Sequence, residues 1–84
     1  MDARWDAFAA QCRREFGRCG FQAELIEACR RNDDIAWAAY FHLRDDAIGW
    51  LHRSVPVLSD RTPISLIDNG KADEVRHCLW AFPC

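Results

Sequence analysis

The side chains best suited to chemistry in this chain are three histidines and five cysteines, which could build a tetrahedral zinc shell if four of them converged. Their spacing argues against it. His77 and Cys78 are adjacent, and neighbours on a helix point about 100 degrees apart, while His42 and His52 stand isolated between apolar and charged residues. Nucleophilic catalysis needs a serine or cysteine beside a base and a group to orient that base. Ser54, Ser59 and Ser65 lack any Gly-x-Ser-x-Gly turn, and no glycine-rich loop offers a phosphate cradle. The carboxylate pairs Asp33-Asp34 and Asp45-Asp46 have the chemistry of a general acid and base. Each precedes an apolar stretch, however, where a carboxylate starts a helix. The expectation is a protein that is not an enzyme, with no metal site and no cofactor.

The cysteines have a second reading, as a disulfide framework, but five is odd and no pair is spaced Cys-x-x-Cys. Reduced thiols are expected instead. Cys12, Cys29 and Cys78 sit beside apolar residues at helical spacings, as small buried hydrophobes do. Cys19 falls in a loop and Cys84 at the terminus, and both are expected to be exposed.

Four tryptophans carry the remaining functional interest. Trp5, Trp37 and Trp50 fall on apolar faces, where packing is the default role. Trp80 lies off the stripe of its helix, within Leu79-Trp80-Ala81-Phe82-Pro83. That stretch is either pinned back on the core or offered to a partner, since large aromatics anchor interfaces.

These side chains must be positioned by a single small domain, since 84 residues leave room for one modest core. Trp5, Phe8, Ala9, Cys12 and Phe16 make one helical stripe, ended by Gly17 and Gly20. Phe21, Leu25, Ile26 and Cys29 make a second stripe that stops near Asn32. Asp33 is expected to cap a third helix whose Ile35, Trp37, Ala38, Tyr40, Phe41 and His42 surround it, as in a central helix. Asp45 and Asp46 start a fourth, carrying Ala47, Ile48, Trp50 and Leu51, unless helices three and four are one bent helix. A loop from Arg53 to Asp60 follows, with Val55, Val57 and Leu58 expected to pin it to the core. Thr62-Pro63 signals a helix start, and Asn69-Gly70, both tolerant of positive φ, a stop. A last helix over about Ala72 to Ala81 puts Val75, Cys78, Leu79 and Phe82 on one face. With no strand-like alternation, the fold class is all-α, five or six short helices.

The formal charge of −2 comes from intermixed acids and bases, which disfavours nucleic acid as a partner. Arg13, Arg14, Arg18, Arg30 and Arg31 lie toward helix ends, where cations complement the dipole. No run approaches the ~20 apolar residues of a membrane span, and the first residues do not read as a signal peptide, so a soluble, cytoplasmic protein is expected.

The order of motifs in the second half resembles the C-terminal toxin-binding domain of the antitoxin Xre/MbcA/ParS family. Ala47, Trp50 and Leu51 fit that family's Ala-x-x-Trp-Leu helix, and Pro56 and Leu58 its proline-containing loop. Arg61, Thr62, Pro63, Leu66 and Ile67 fit its next helix start; Gly70, Val75 and Leu79 fit its last helix. The match runs from near Trp37 to near Leu79, so residues 1–84 divide into 1–36 without family pattern and 37–84 with it. The resemblance implies a protein partner, a RES-domain toxin related to ADP-ribosyltransferases that consumes NAD+. It also implies that the antitoxin's C-terminal region blocks the toxin's active-site cleft. The residues expected at that interface are Arg61, Thr62, Ser65, Asp68, Asn69, Lys71, Arg76, Trp80 and Phe82.

Two departures qualify the pattern. The family's N-terminal half is longer and resembles a helix-turn-helix DNA reader, whereas the segment before the match is short and not basic, so operator binding is not expected. The stretch Phe82-Pro83-Cys84 stands where the family has a glycine and further residues, so a shortened or differently built tail is expected. Two other readings stay open: a phage or mobile-element inhibitor of another host enzyme, and a small DNA-binding regulator using Glu24 to Tyr40. A homodimer within a toxin complex also stays open.

Overall fold

Each stripe in the sequence becomes a helix. The structure of the protein, a computed structural model, describes residues 3–82, so Pro83 and Cys84 lie outside the described residues, and with them the expected exposure of Cys84. Six α-helices occur among the described residues: α1 (Ala3–Phe16), α2 (Gln22–Ala28), α3 (Asp33–Leu43), α4 (Ala47–Leu51), α5 (Pro63–Asp68) and α6 (Ala72–Trp80). Short 3-10 turns at Arg44–Asp46 and Pro56–Leu58 join them. The all-α expectation is borne out.

α1 buries Trp5, Ala9, Cys12 and Phe16 of its stripe, mainly against α3, with Phe8 partly buried beside them. α3 is the central helix, packed on α1, α2, α4 and α6, and it buries Ile35, Ala36, Ala38, Ala39 and Tyr40. Its alanines let neighbouring backbones approach closely. The core is one continuous cluster that runs from Trp5 to Leu79 and so draws on both halves of the sequence. Leu25, Ile35, Leu51, Leu66 and Leu79 are among its fully buried side chains, each worth about 1.5–3 kcal/mol on burial. Among the described residues no helix is long and apolar enough to cross a membrane.

The connections show where local rules are overridden. α2 ends in the double hydrogen-bond pattern of a Schellman cap, Arg31 N–H to Ile26 O at 2.8 Å and Arg30 N–H to Glu27 O at 2.9 Å. Arginine takes the left-handed position that glycine usually fills, with φ of 54° at Arg30 and 64° at Arg31. Asp33 does not cap α3: it is the first helical residue, and Asn32 stands at the cap position without a side-chain bond into the helix. The Asn32 amide donates instead to Cys29 O at 2.8 Å. Helices three and four are separate, because Arg44 turns the chain with φ 51° and ψ −122°. Asp45 and Asp46 lie in the 3-10 turn that leads into α4; Asp46 stands at the α4 cap position as expected, but its side chain makes no cap bond and pairs with Arg53.

The loop after α4 is also only partly as expected. Leu58 is buried and Val55 half-buried, but Val57 is 59% exposed and pins nothing. Its backbone is nevertheless fixed: Val55 N–H donates to Arg61 O at 3.1 Å, and Val55 O accepts from Leu58 and Asp60. Ser59 and Asp60 both adopt positive φ to make that turn. Farther on, Asn69 has φ −96°, so Gly70 alone, at φ 75°, supplies the left-handed residue that stops α5.

Cys19, expected to be exposed, is 6% exposed, because the loop folds inward and the thiol sulfur accepts the Phe21 N–H at 3.4 Å. Cys12, Cys19, Cys29 and Cys78 are all buried. Burial pushes the Cys12 thiol up to about 11, against a smaller opposing backbone hydrogen bond. It pushes Cys29 to about 12, with the Asp34 charge adding to the effect. Both stay protonated and unreactive near neutral pH.

Candidate partner-binding surface

α5 is built by its own first residues. Thr62 is extended and its hydroxyl accepts the Ser65 N–H at 3.2 Å, as the Thr-Pro pair predicts, while buried Pro63 occupies the first helical position. Ser65 Oγ donates back to Thr62 O at 2.8 Å. The helix closes in a second Schellman cap, Lys71 N–H to Leu66 O at 2.8 Å and Gly70 N–H to Ile67 O at 3.2 Å. The Asn69 amide donates to Ser65 O at 2.8 Å. This sharp stop lets α6 fold back against α5.

The nine residues singled out from the sequence fall into two groups. Arg61, Thr62, Ser65, Asp68, Asn69 and Lys71 follow one another along α5 and its caps. Arg61, Asn69 and Lys71 are exposed, whereas the Thr62 and Ser65 hydroxyls serve the cap. Asp68 binds the Arg30 guanidinium through both carboxylate oxygens, at 2.7 and 3.2 Å. That hydrogen bond holds the Asp68 carboxyl below its ordinary range, and it ties the strained end of α2 to α5.

Arg76, Trp80 and Phe82 form the second group, turned toward α1 and α3. The Arg76 side chain is only 17% exposed. Its Nε donates to Asp34 Oδ2 at 2.7 Å, Nη1 to Asp73 at 2.8 Å and Nη2 to Asn32 at 3.1 Å. Asp34 also accepts the Trp5 indole N–H at 2.9 Å and the Ile35 N–H at 3.0 Å. Burial alone would raise the Asp34 carboxyl, but the bonds from Arg76 and Trp5 outweigh it and hold it below the ordinary value. Trp80 is half-buried, edge-on to Trp5 with ring centroids 6.3 Å apart, and the Arg4 guanidinium lies 5.9 Å above its ring. Phe82 stacks on His42 at 4.8 Å and meets Trp50 edge-on. His42 is thereby sandwiched, with Phe8 on its other side at 5.8 Å, and its Nε2–H donates to Leu79 O at 2.9 Å.

A third feature escaped the sequence. Between the 56–58 turn and α6 lies an open groove of about 310 Å³, lined by Val57, Leu58, Glu74, His77, Cys78 and Ala81. No periodicity rule flags it, because it arises where an irregular turn meets a helix. A valine between Pro56 and Leu58, in a stretch without helical spacing, is the trace it leaves in the chain.

What these elements define is a helical binding module: the Thr62 and Ser65 hydroxyls used at a cap, the described thiols buried, and an exposed α5 edge beside an apolar groove. Compared with known families, residues 36–82, more than half of the chain, match the antitoxin Xre/MbcA/ParS C-terminal toxin-binding domain, and the chain belongs to that family. Comparison with curated proteins and with solved structures gives no match. The family expectation drawn from Ala47 through Leu79 is therefore borne out, and the partner such a domain implies is a protein toxin. The matched segment begins inside α3 and ends at Phe82, so the N-terminal helices lie outside it.

Proposed function

We propose that this antitoxin neutralises a RES-type, NAD-consuming toxin in the cytoplasm by laying its C-terminal region over the toxin's active-site cleft. The observation that carries the reading is the family match over residues 36–82. In this reading Arg61, Asn69 and Lys71, which are exposed, meet the toxin, while Thr62, Ser65 and Asp68 hold α5 in shape. Arg76, Trp80 and Phe82 fix α6 to the rest of the molecule and present its end.

The test is co-expression with the enzyme encoded beside it. Induction of that enzyme alone should deplete cellular NAD+ and stop growth; adding this chain should restore both, with the two proteins co-purifying. Absence of both rescue and complex refutes toxin neutralisation. A complex with an enzyme that leaves NAD+ untouched refutes the RES-type partner alone.

A further inference from the structure

We infer that the groove between the 56–58 turn and α6 receives an aliphatic side chain of the toxin, flanked by a lysine or arginine that pairs with Glu74. The inference rests on toxin binding as proposed above, though not on the toxin's being of RES type. Three observations carry it. The first is location: the groove lies wholly within the segment that matches a toxin-binding domain, and its Val57 rim runs directly into Arg61 and the α5 cap.

The second observation is the apolar rim. Val57 is 59% exposed, more than any other large hydrophobic among the described residues. It is not loosely held. The bonds of Val55 to Arg61, Leu58 and Asp60 fix its turn, at the cost of left-handed backbone at Ser59 and Asp60. Strained backbone that surrounding structure enforces is characteristic of sites that clamp a ligand. An exposed apolar side chain on a rigid support is also the form an interface anchor takes, because little freedom is lost on docking.

The third observation is charge. Glu74 is the one carboxylate among the groove-lining residues, and no ion pair engages it among the described residues, whereas its neighbour Asp73 is bound to Arg76. The floor offered by Leu58, Cys78 and Ala81 is apolar. A low apolar floor beside one uncompensated acid complements an aliphatic side chain next to a cation, and it disfavours an acidic segment.

Binding of purified, catalytically inactive toxin to the full chain tests this. Val57→Asp should weaken binding about tenfold or more, mainly through faster dissociation. Glu74→Lys should slow association and flatten its salt dependence, as loss of a rim charge does. Glu24→Lys, an exposed change outside the matched segment, should bind within about twofold of the parent. Melting temperatures confirm that the variants fold, since both groove residues project into solvent.

Groove variants that bind like the parent overturn the inference and leave toxin neutralisation standing. A parent chain that binds no toxin overturns both. Sedimentation adds a third outcome: if the free chain dimerises and Val57→Asp abolishes the dimer without affecting toxin binding, the groove belongs to a second copy and the inference falls.

Discussion

Arg76 shows how a residue's role turns on partners that are distant in sequence. Its guanidinium is nearly covered and satisfies Asp34, Asp73 and Asn32 together, while Asp34 also takes the Trp5 indole. Removing the guanidinium leaves a half-buried carboxylate with much of its compensation gone, and breaking such a pair from one side is strongly destabilising. Arg76→Ala should therefore lose about 3 kcal/mol in urea unfolding. Asp73→Ala, at a side chain 61% exposed, should cost under about 1 kcal/mol. Equal effects of the two changes would show that the Asp34 network contributes nothing.

At the scale of elements, the junctions between helices hold the unusual backbone. Arg44 separates α3 from α4 at φ 51° and ψ −122°, a region that costs a side-chain-bearing residue about 1–3 kcal/mol. Its side chain offers only an exposed pair with Glu15 and a contact over the Tyr40 ring, each worth about 1 kcal/mol or less. Arg44→Gly should thus raise the melting temperature by about 4 °C, while Arg44→Ala, which keeps the strain and loses the contacts, should lower it. A fall with glycine as large as with alanine would show that the backbone there is not strained. The same contrast explains what could be read from the chain. Thr62-Pro63 and Gly70 announce α5 because capping is local chemistry, completed within three or four residues. Arg30, Arg31 and Arg44 carry no such mark, because positive φ is read from glycine or asparagine and these positions hold arginine.

Across the whole molecule, the helical stripes specified which side chains enter the core, and the order of motifs specified the family, but long-range pairing was invisible. Arg76 reads as a surface cation because Asp34 lies 42 positions away, and Cys19 reads as exposed because only the folded loop covers it. His42 is the second global tie, holding Phe8 of α1, Leu79 of α6 and Phe82 together from within α3. Burial depresses its pKa below the ordinary 6.5, against the opposing effect of the Leu79 hydrogen bond. The unfolded chain therefore takes up a proton first as the medium is acidified. The stability His42 contributes is full above about pH 6.5 and is lost as pH falls from there through its folded value. The Asp34 contribution follows separately, only below the ordinary carboxylate value of 3.8. Melting temperatures at pH 7.5 and 5.5 should show a drop in the parent that is smaller in His42→Gln, and equal drops would remove His42 as the cause.

The bond from the Trp5 indole to Asp34 has a consequence for how such chains can be recombined. It reaches from outside the family-matched segment into a helix that spans its boundary, onto the carboxylate that also receives Arg76 from within that segment. A new leader grafted ahead of residue 36 replaces both Trp5 and Asp34, so it would have to bring its own carboxylate to Arg76, held by a donor such as the Trp5 indole, along with an apolar face for the rest of α3. The N-terminal and toxin-binding segments therefore fold as one unit, and a swapped leader should give a stable chain only where it supplies that carboxylate.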